Sequence, residues 1–324
     1  MKKKISGMLN YSMMNRLLLI VLICIEVIAF SNFTPYFFKL DNLLPVGREI
    51  ATLGIVAIGQ TMCILAAGFD LSVGGVAALS AVLVGYLCSP NMLGLPYWVG
   101  LSAGMAAAIS IGLINGLLIT KAKVSPFITT MSMSFILGGV VILITKQPIT
   151  CNTPAFKFLG ATTFGAIKFP LPIIILIVLY VLFGFILKYT KFGRQLYCTG
   201  GNIKAAQVAG INTQGIILKT YTISSLLAGF AGIMLASRIA TSNPGIGGSY
   251  GLESIAAAVL GGTLLAGGEG NVFGAFLGVI VTGLLSNGLI MIGVPQAFRD
   301  IATGVVLVAA VIIQMAAKRS KRLA

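Results

Sequence analysis

The side chains able to make directed contacts are few, and they sit among long apolar runs. Gln60, Asn115 and Asn287, with Ser132 and Ser134, put amides and hydroxyls inside stretches that otherwise read as membrane helices. Asp70 and Ser72 fall just ahead of another such stretch. The chemistry open to these groups is hydrogen bonding, either to a neutral, hydroxylated cargo or between helices. An interhelical bond of this kind contributes only about 0.6 kcal/mol on average. Gln60, Asp70, Ser72, Asn115 and Asn287 are therefore candidates for lining a substrate pathway, with helix capping as the alternative role for Asp70.

Other chemistry finds little to work with. The chain has no histidine. Cys24, Cys63, Cys88, Cys151 and Cys198 are scattered without C-x-x-C spacing, and only Cys151 falls in a predicted external loop, so no external disulfide is expected. The glycines of Gly245-Ile246-Gly247-Gly248 and Gly267-Gly268-Glu269-Gly270 fit neither phosphate-loop pattern. The two G-x-S-x-G matches, Gly100 to Gly104 and Gly247 to Gly251, have no histidine in the chain to serve as base. No aspartate-rich motif occurs, so the chain is expected to be no enzyme and to bind no metal or cofactor. Glu26 lies well inside the first apolar run, where a charge costs about 2.5–3.5 kcal/mol. It must face protein or water, or be protonated. Glu253 and Asp300 stand at the starts of later runs, and no helix carries the chain of acids usual in ion-coupled transporters.

Elements positioning these residues must be membrane helices. Of 324 residues 57% are hydrophobic and only 9% charged, against about 25% charged in a soluble domain. An odd, sparse set of five cysteines excludes a disulfide scaffold, and the apolar excess excludes disorder. The fold class is an all-α polytopic membrane protein. Its net charge of +15 is concentrated at the ends of apolar runs, the positive-inside pattern and not a nucleic-acid face.

Runs of about 20 apolar residues predict ten spans. The first series is Leu17 to Phe33, Ile50 to Ala67, Val73 to Cys88, Trp98 to Thr120 and Phe127 to Thr145. The second is Leu171 to Leu187, Ile216 to Ile239, Leu252 to Ala266, Val272 to Ile292 and Ala297 to Ala316. The Gly-containing links at Gly68 to Ser72 and Gly267 to Asn271 are short enough for either to interrupt a broken or re-entrant helix. Ten spans put 15 of the 22 basic residues on the N-terminal side, which places both termini in the cytoplasm. Lys2 to Lys4 and the apolar run after them could pass for a signal peptide, but Glu26 interrupts that run and favours an uncleaved helix.

One membrane domain is expected over 1–324, with a cytoplasmic tail at 1–16, a cytoplasmic loop at 188–215 and a basic tail at 317–324. The segment from Ala67 to Gly75 matches that from Ala266 to Gly274 at a constant offset of 199. Such matched, Gly-interrupted segments point to a transport site between repeats, or simply to two tight turns. Small residues four apart, as in Gly100, Gly104, Ala108, Gly112 and Gly116, or Ser224, Ala228, Gly232 and Ala236, mark helix-packing faces. In the 188–215 loop Asn202 can cap a short helix that Gly210 ends, leaving Val208 and Ile211 exposed unless something covers them. That loop reads as a docking element or as a membrane-surface helix.

The order of motifs resembles the permease subunit of ribose-type bacterial ABC sugar importers. It runs from Ala67-Gly68-Phe69-Asp70-Leu71-Ser72-Val73-Gly74 through Val124-Ser125-Pro126-Phe127-Ile128-Thr129-Thr130 to the loop from Gly193 to Gly210. Leu227-Ala228-Gly229-Phe230-Ala231-Gly232, Gly261-Gly262-Thr263, Gly267-Gly268-Glu269-Gly270 and Ser286-Asn287-Gly288-Leu289 follow. The likeness covers roughly residues 45 to 315. It implies a multi-pass protein of the bacterial inner or plasma membrane, paired with a second permease copy or a paralogue. It also implies cytoplasmic ATPase subunits that use ATP and magnesium, and an extracytoplasmic sugar-binding protein. Lys204-Ala205-Ala206-x-x-x-Gly210 is similar to the E-A-A-x-x-x-G coupling motif, with lysine in place of glutamate. Asn202, Lys204, Ala205, Ala206 and Gly210 thereby become the candidate ATPase-coupling residues. The expected function is import of a ribose-like monosaccharide. Rivals are the same architecture carrying a nucleoside, an autoinducer sugar or a branched-chain amino acid, and an ion-coupled secondary transporter.

Overall fold

The computed structural model describes residues 2–299 together with 301, 302, 304, 305, 308 and 312, with side chains from residue 17 onward. The chain is helical almost throughout. The order begins α1 (Lys2–Phe33), α2 (Leu40–Leu65), α3 (Val73–Cys88), α4 (Tyr97–Thr120) and α5 (Pro126–Ile144). A connection follows with β1 (Ile149–Thr150), α6 (Pro154–Ala161), β2 (Thr163–Phe164) and β3 (Phe169–Pro170). Then come α7 (Leu171–Tyr189), α8 (Lys191–Gly201), α9 (Ile203–Val208), α10 (Thr213–Ile239), β4 (Thr241–Ser242), α11 (Tyr250–Leu260) and α12 (Val272–Met291).

Six of these, α2, α4, α5, α7, α10 and α12, are long and apolar enough to cross a membrane. The apolar part of α1 (Leu17–Phe33), α3 and α11 are shorter. At 1.5 Å per residue α3 reaches about 24 Å and α11 about 16 Å, less than the hydrocarbon thickness of about 30 Å. Their links therefore run into the bundle. The expected tenth span, Ala297 to Ala316, falls largely outside the described residues, as do Asp300 and the 317–324 tail.

Two boundaries differ from expectation. The second helix starts at Leu40 and passes through Pro45, which lies only five residues from its first, so the ring costs one early backbone bond. Polar Arg48 and Glu49 had hidden this turn from an apolar count. The eighth span stops at Leu260, six residues before Ala266. Gly262, at φ 86°, ends it, donating from N to the Val259 carbonyl while Thr263 N donates to that of Ala258. Glycine makes this left-handed stop cheap.

α2 is the axle of the bundle. Every residue from Ile50 to Leu65 is buried, and α7, α10, α11 and α12 surround it. The expected small-residue face of α4 is its buried face, against α3 and α10. A Cβ on Gly112 would stand 2.7 Å from the Thr222 Cα, so only glycine allows that backbone approach. Glu26 faces protein, buried in the bundle, with one carboxyl oxygen unpartnered. The connection after α5 is tied down by β1 pairing antiparallel with β4 and by α6 packing on α10. This carries Cys151 inward beside the end of α3, where its Sγ lies 3.7 Å from the Cys88 carbonyl; both thiols are free.

Candidate functional site

Two polar assemblies occupy the half of the bundle that holds the basic 188–215 segment, here called the basic end. The first surrounds the link between α2 and α3. Helix α2 closes with Ala67 N donating to Ile64 O and Gly68 N to Cys63 O, and Ala67 takes a left-handed φ of 62°. The chain then turns outward with Asp70 at its centre. One carboxylate oxygen accepts from Ser72 N at 3.0 Å and from the Ser72 hydroxyl at 2.5 Å. The other accepts from the Ser224 hydroxyl on α10 at 3.1 Å.

Ser72, not Asp70, occupies the cap position of α3. Asp70 instead holds an Asx-type turn two residues earlier, the alternative to a cap that short acidic side chains adopt. The Asn115 amide on α4 donates to the Ser72 hydroxyl at 2.9 Å. The Gln60 amide, oriented to suit its neighbours, donates to the Asp70 carbonyl at 3.0 Å and accepts from Asp70 N at 3.2 Å. Tyr221 donates its hydroxyl proton to the Phe69 carbonyl at 3.2 Å.

Four of the five expected pathway residues thus meet in one network with no exposed surface. Asn287 stands apart, exchanging amide hydrogen bonds with Asn42 at 2.9 and 3.2 Å and tying α12 to the start of α2. Of the serines, Ser132 is exposed and Ser134 faces a groove of about 480 Å³ between α3 and α5. Ser224 and Tyr221 are partners that the sequence did not reveal. Ser224 belongs to a small-residue face that reads equally well as packing, and no pattern around Tyr221 distinguishes it.

The second assembly is the α8–α9 hairpin. Thr190 caps α8 at Gly193 N, and Asn202 caps α9 with its Oδ1 accepting from Ala205 N at 3.0 Å. Gly210, at φ 76°, ends α9, with Gly210 N donating to Gln207 O and Ile211 N to Ala206 O. Both bonds are those of a Schellman stop, as the residues predicted. The faces divide sharply: Ala206 is 4% exposed and packs inward, whereas Val208 is 90% exposed. Asn202, Lys204, Ala205 and Gly210 are exposed as well, and Ile211 is half-buried.

The inner side of α8 is seated on both matched links. A Cβ on Gly200 would collide with the Leu65 carbonyl at the end of α2. That same carbonyl accepts from Gly268 N at 3.0 Å. Gly267, at φ 81°, lies so close to Ala67 that a Cβ would approach its Cα to 2.8 Å. The Tyr197 hydroxyl on α8 donates to the Gly270 carbonyl at 2.8 Å. Burial pushes this phenol above its ordinary pKa, so it stays a neutral donor through the physiological range. From the second link, Asn271 caps α12, accepting from Gly274 N at 2.7 Å. A continuous path of contacts therefore runs from α8 through both links to the starts of α3 and α12. Among the described residues no cluster of His, Cys, Asp or Glu could hold a metal ion.

Residues 42–311 match the family model described as branched-chain amino acid transport system / permease component. The ribose import permease of Bacillus subtilis (strain 168) is 37% identical over 293 residues, covering 89% of each chain. The fructose import permease of Rhizobium meliloti is 32% identical, covering 91% of this chain and 83% of its own. The L-arabinose transport system permease of Escherichia coli (strain K12) is 31% identical, covering 94% and 92%. No solved structure gives a significant match. The relatives are permease subunits and not enzymes, and the chain belongs to the family of ABC-importer permease components that includes these sugar permeases.

Proposed function

We propose that the chain is the membrane-spanning subunit of a bacterial ABC importer that brings in a monosaccharide, ribose or a close relative. The sugar is delivered by an extracytoplasmic binding protein, and the work is done by ATP hydrolysis with magnesium on cytoplasmic ATPase subunits. This chain binds no nucleotide itself. It pairs with a second copy or a paralogue in the inner or plasma membrane, with the basic end and both termini in the cytoplasm. The supporting relatives import ribose, fructose and arabinose by name.

The observation that carries the reading is the α8–α9 hairpin, with its inner side locked on both links and its outer side exposed. Asn202, Lys204, Ala205 and Gly210, with Val208, form the face offered to an ATPase, and Ala206 seats that face on the body of the protein. An ATPase shifts the permease between two states only by binding them unequally. The hairpin supplies that difference by pressing on the links. Gln60, Asp70, Ser72 and Asn115 brace the first link beside the pathway, and Asn287 holds α12 to α2 along its outer part.

The direct test is Val208→Asp. Because this side chain is almost wholly exposed, the substitution leaves thermal unfolding within about 0.5 kcal/mol of wild type. It abolishes co-purification with the ATPase and sugar uptake. Wild-type co-purification and uptake would remove the docking assignment. A second reading, transport of a zwitterionic branched-chain amino acid, is favoured by the family description itself. Competition for uptake between ribose and leucine in proteoliposomes separates the two.

A further inference from the structure

A polar cavity of about 410 Å³ lies at the end of the bundle opposite the α8–α9 hairpin, between α2, α10, α11 and α12. Glu49 and Thr52 of α2, Arg238 of α10, Tyr250 and Glu253 of α11 and Thr282 of α12 face it. The network around Asp70 contributes none of its residues. The volume falls within the usual range for small-molecule sites, about 300–1,000 Å³. Charges of both signs line it, which suits a cargo with no net charge.

Tyr250 sets this cavity apart from an incidental gap. It is 7% exposed, and its enclosed hydroxyl makes no well-formed hydrogen bond, with the Thr52 hydroxyl as its near neighbour. Thr52 Oγ1 donates to the Glu49 carbonyl at 2.9 Å and keeps lone pairs as a poorly aligned acceptor for the phenol. An enclosed hydroxyl whose hydrogen bond is poorly formed is destabilising. A ligand hydroxyl arriving in the cavity relieves that cost. The other groups extend the match: carboxylates accept from adjacent sugar hydroxyls, and a guanidinium donates to their oxygens. Thr282 donates to the Gly278 and Val279 carbonyls at 3.2 Å each and keeps acceptor capacity toward the cavity.

We propose that this cavity is a monosaccharide-binding site built within a single copy of the chain, with the Tyr250 hydroxyl as a direct contact to the sugar. The proposal rests on the sugar-import reading above. It adds that the permease itself recognises its cargo and does not merely open a passage for it.

The test measures equilibrium binding of radiolabelled D-ribose, D-fructose and L-arabinose to the full chain in lipid nanodiscs. Uptake of the same sugars by the complete transporter in proteoliposomes runs beside it. Wild type is expected to bind at least one of the sugars saturably. Tyr250→Phe, which removes one oxygen and keeps the ring, weakens that binding about fivefold, and Thr282→Val about threefold, as loss of one hydrogen bond each would do. Thermal melting without sugar reports whether each variant is folded. If the complete transporter imports a sugar that the chain does not bind, or binds equally well after both substitutions, the site is wrong and the import reading stands. If the complete transporter imports none of the three sugars, the import reading falls and the site falls with it.

Discussion

The bundle holds two polar clusters of similar composition and opposite condition. Around Asp70, near the basic end, carboxylate, hydroxyls and amides are consumed by one another, with no exposed surface and only the Asn115 Oδ1 left without a partner. Around Tyr250, at the opposite end, similar groups surround open space and an enclosed hydroxyl lacks a well-formed bond. Polar side chains in an apolar bundle are therefore not one class. A satisfied network specifies how helices lock together, whereas an unsatisfied one beside a cavity is prepared for something that arrives.

Breaking the closed cluster should have the largest effect. Asp70→Ala leaves Ser72 N, the Ser72 hydroxyl and the Ser224 hydroxyl without their acceptor, at about 1–3 kcal/mol each. The expected outcome is failure to accumulate folded protein, read by thermal unfolding in detergent and by membrane yield. A folded Asp70→Ala chain that no longer transports would instead move this cluster into the functional class and erase the contrast.

Gly200→Val comes next, because its side chain would strike the Leu65 carbonyl and lift α8 from both links. Coupling should fall about tenfold or more, measured as uptake per ATP hydrolysed, with ATP hydrolysis itself retained. Glu49→Gln, in the open cluster, keeps the shape of an exposed side chain. Sugar affinity should drop severalfold while the unfolding temperature stays unchanged; a large loss of stability would place this cluster with the closed one. The smallest effect is expected from Asn202→Ala, which removes the cap on α9 at a cost of about 1 kcal/mol. Hydrogen exchange should rise in residues 203–208 and remain at wild-type levels around Asp70.

Much of this was legible from local pattern. The small-residue face of α4, the cap at Asn202, the stop at Gly210 and the turn into α3 all rest on residues within a few positions of one another. The matched links at offset 199 were legible as well, and the structure brings Gly267 against Ala67. The inward seating of Ala206 was not, because a short helix of mostly small residues has no apolar stripe to set its rotation. The end of α11 was misplaced because Leu264, Leu265 and Ala266 continue the apolar run after the Gly261–Gly262 stop. Apolar content alone could not rank a turn above a membrane segment there.

Taken alone, the sequence determined that the chain lives in a bilayer, approximately where nine of its helices run, and which motif order it shares with sugar permeases. Those properties depend on transfer of apolar side chains into lipid and on short-range backbone preferences, and both are written along the chain. Tertiary structure alone decided which polar residues became partners. Ser224 reaches Asp70 across 154 positions, and Tyr250 comes to stand beside Thr52. A hydrogen bond needs about 3 Å and a defined direction. Only the packing of α2 against α10, α11 and α12 sets those distances, and so only packing separates the lock from the cavity.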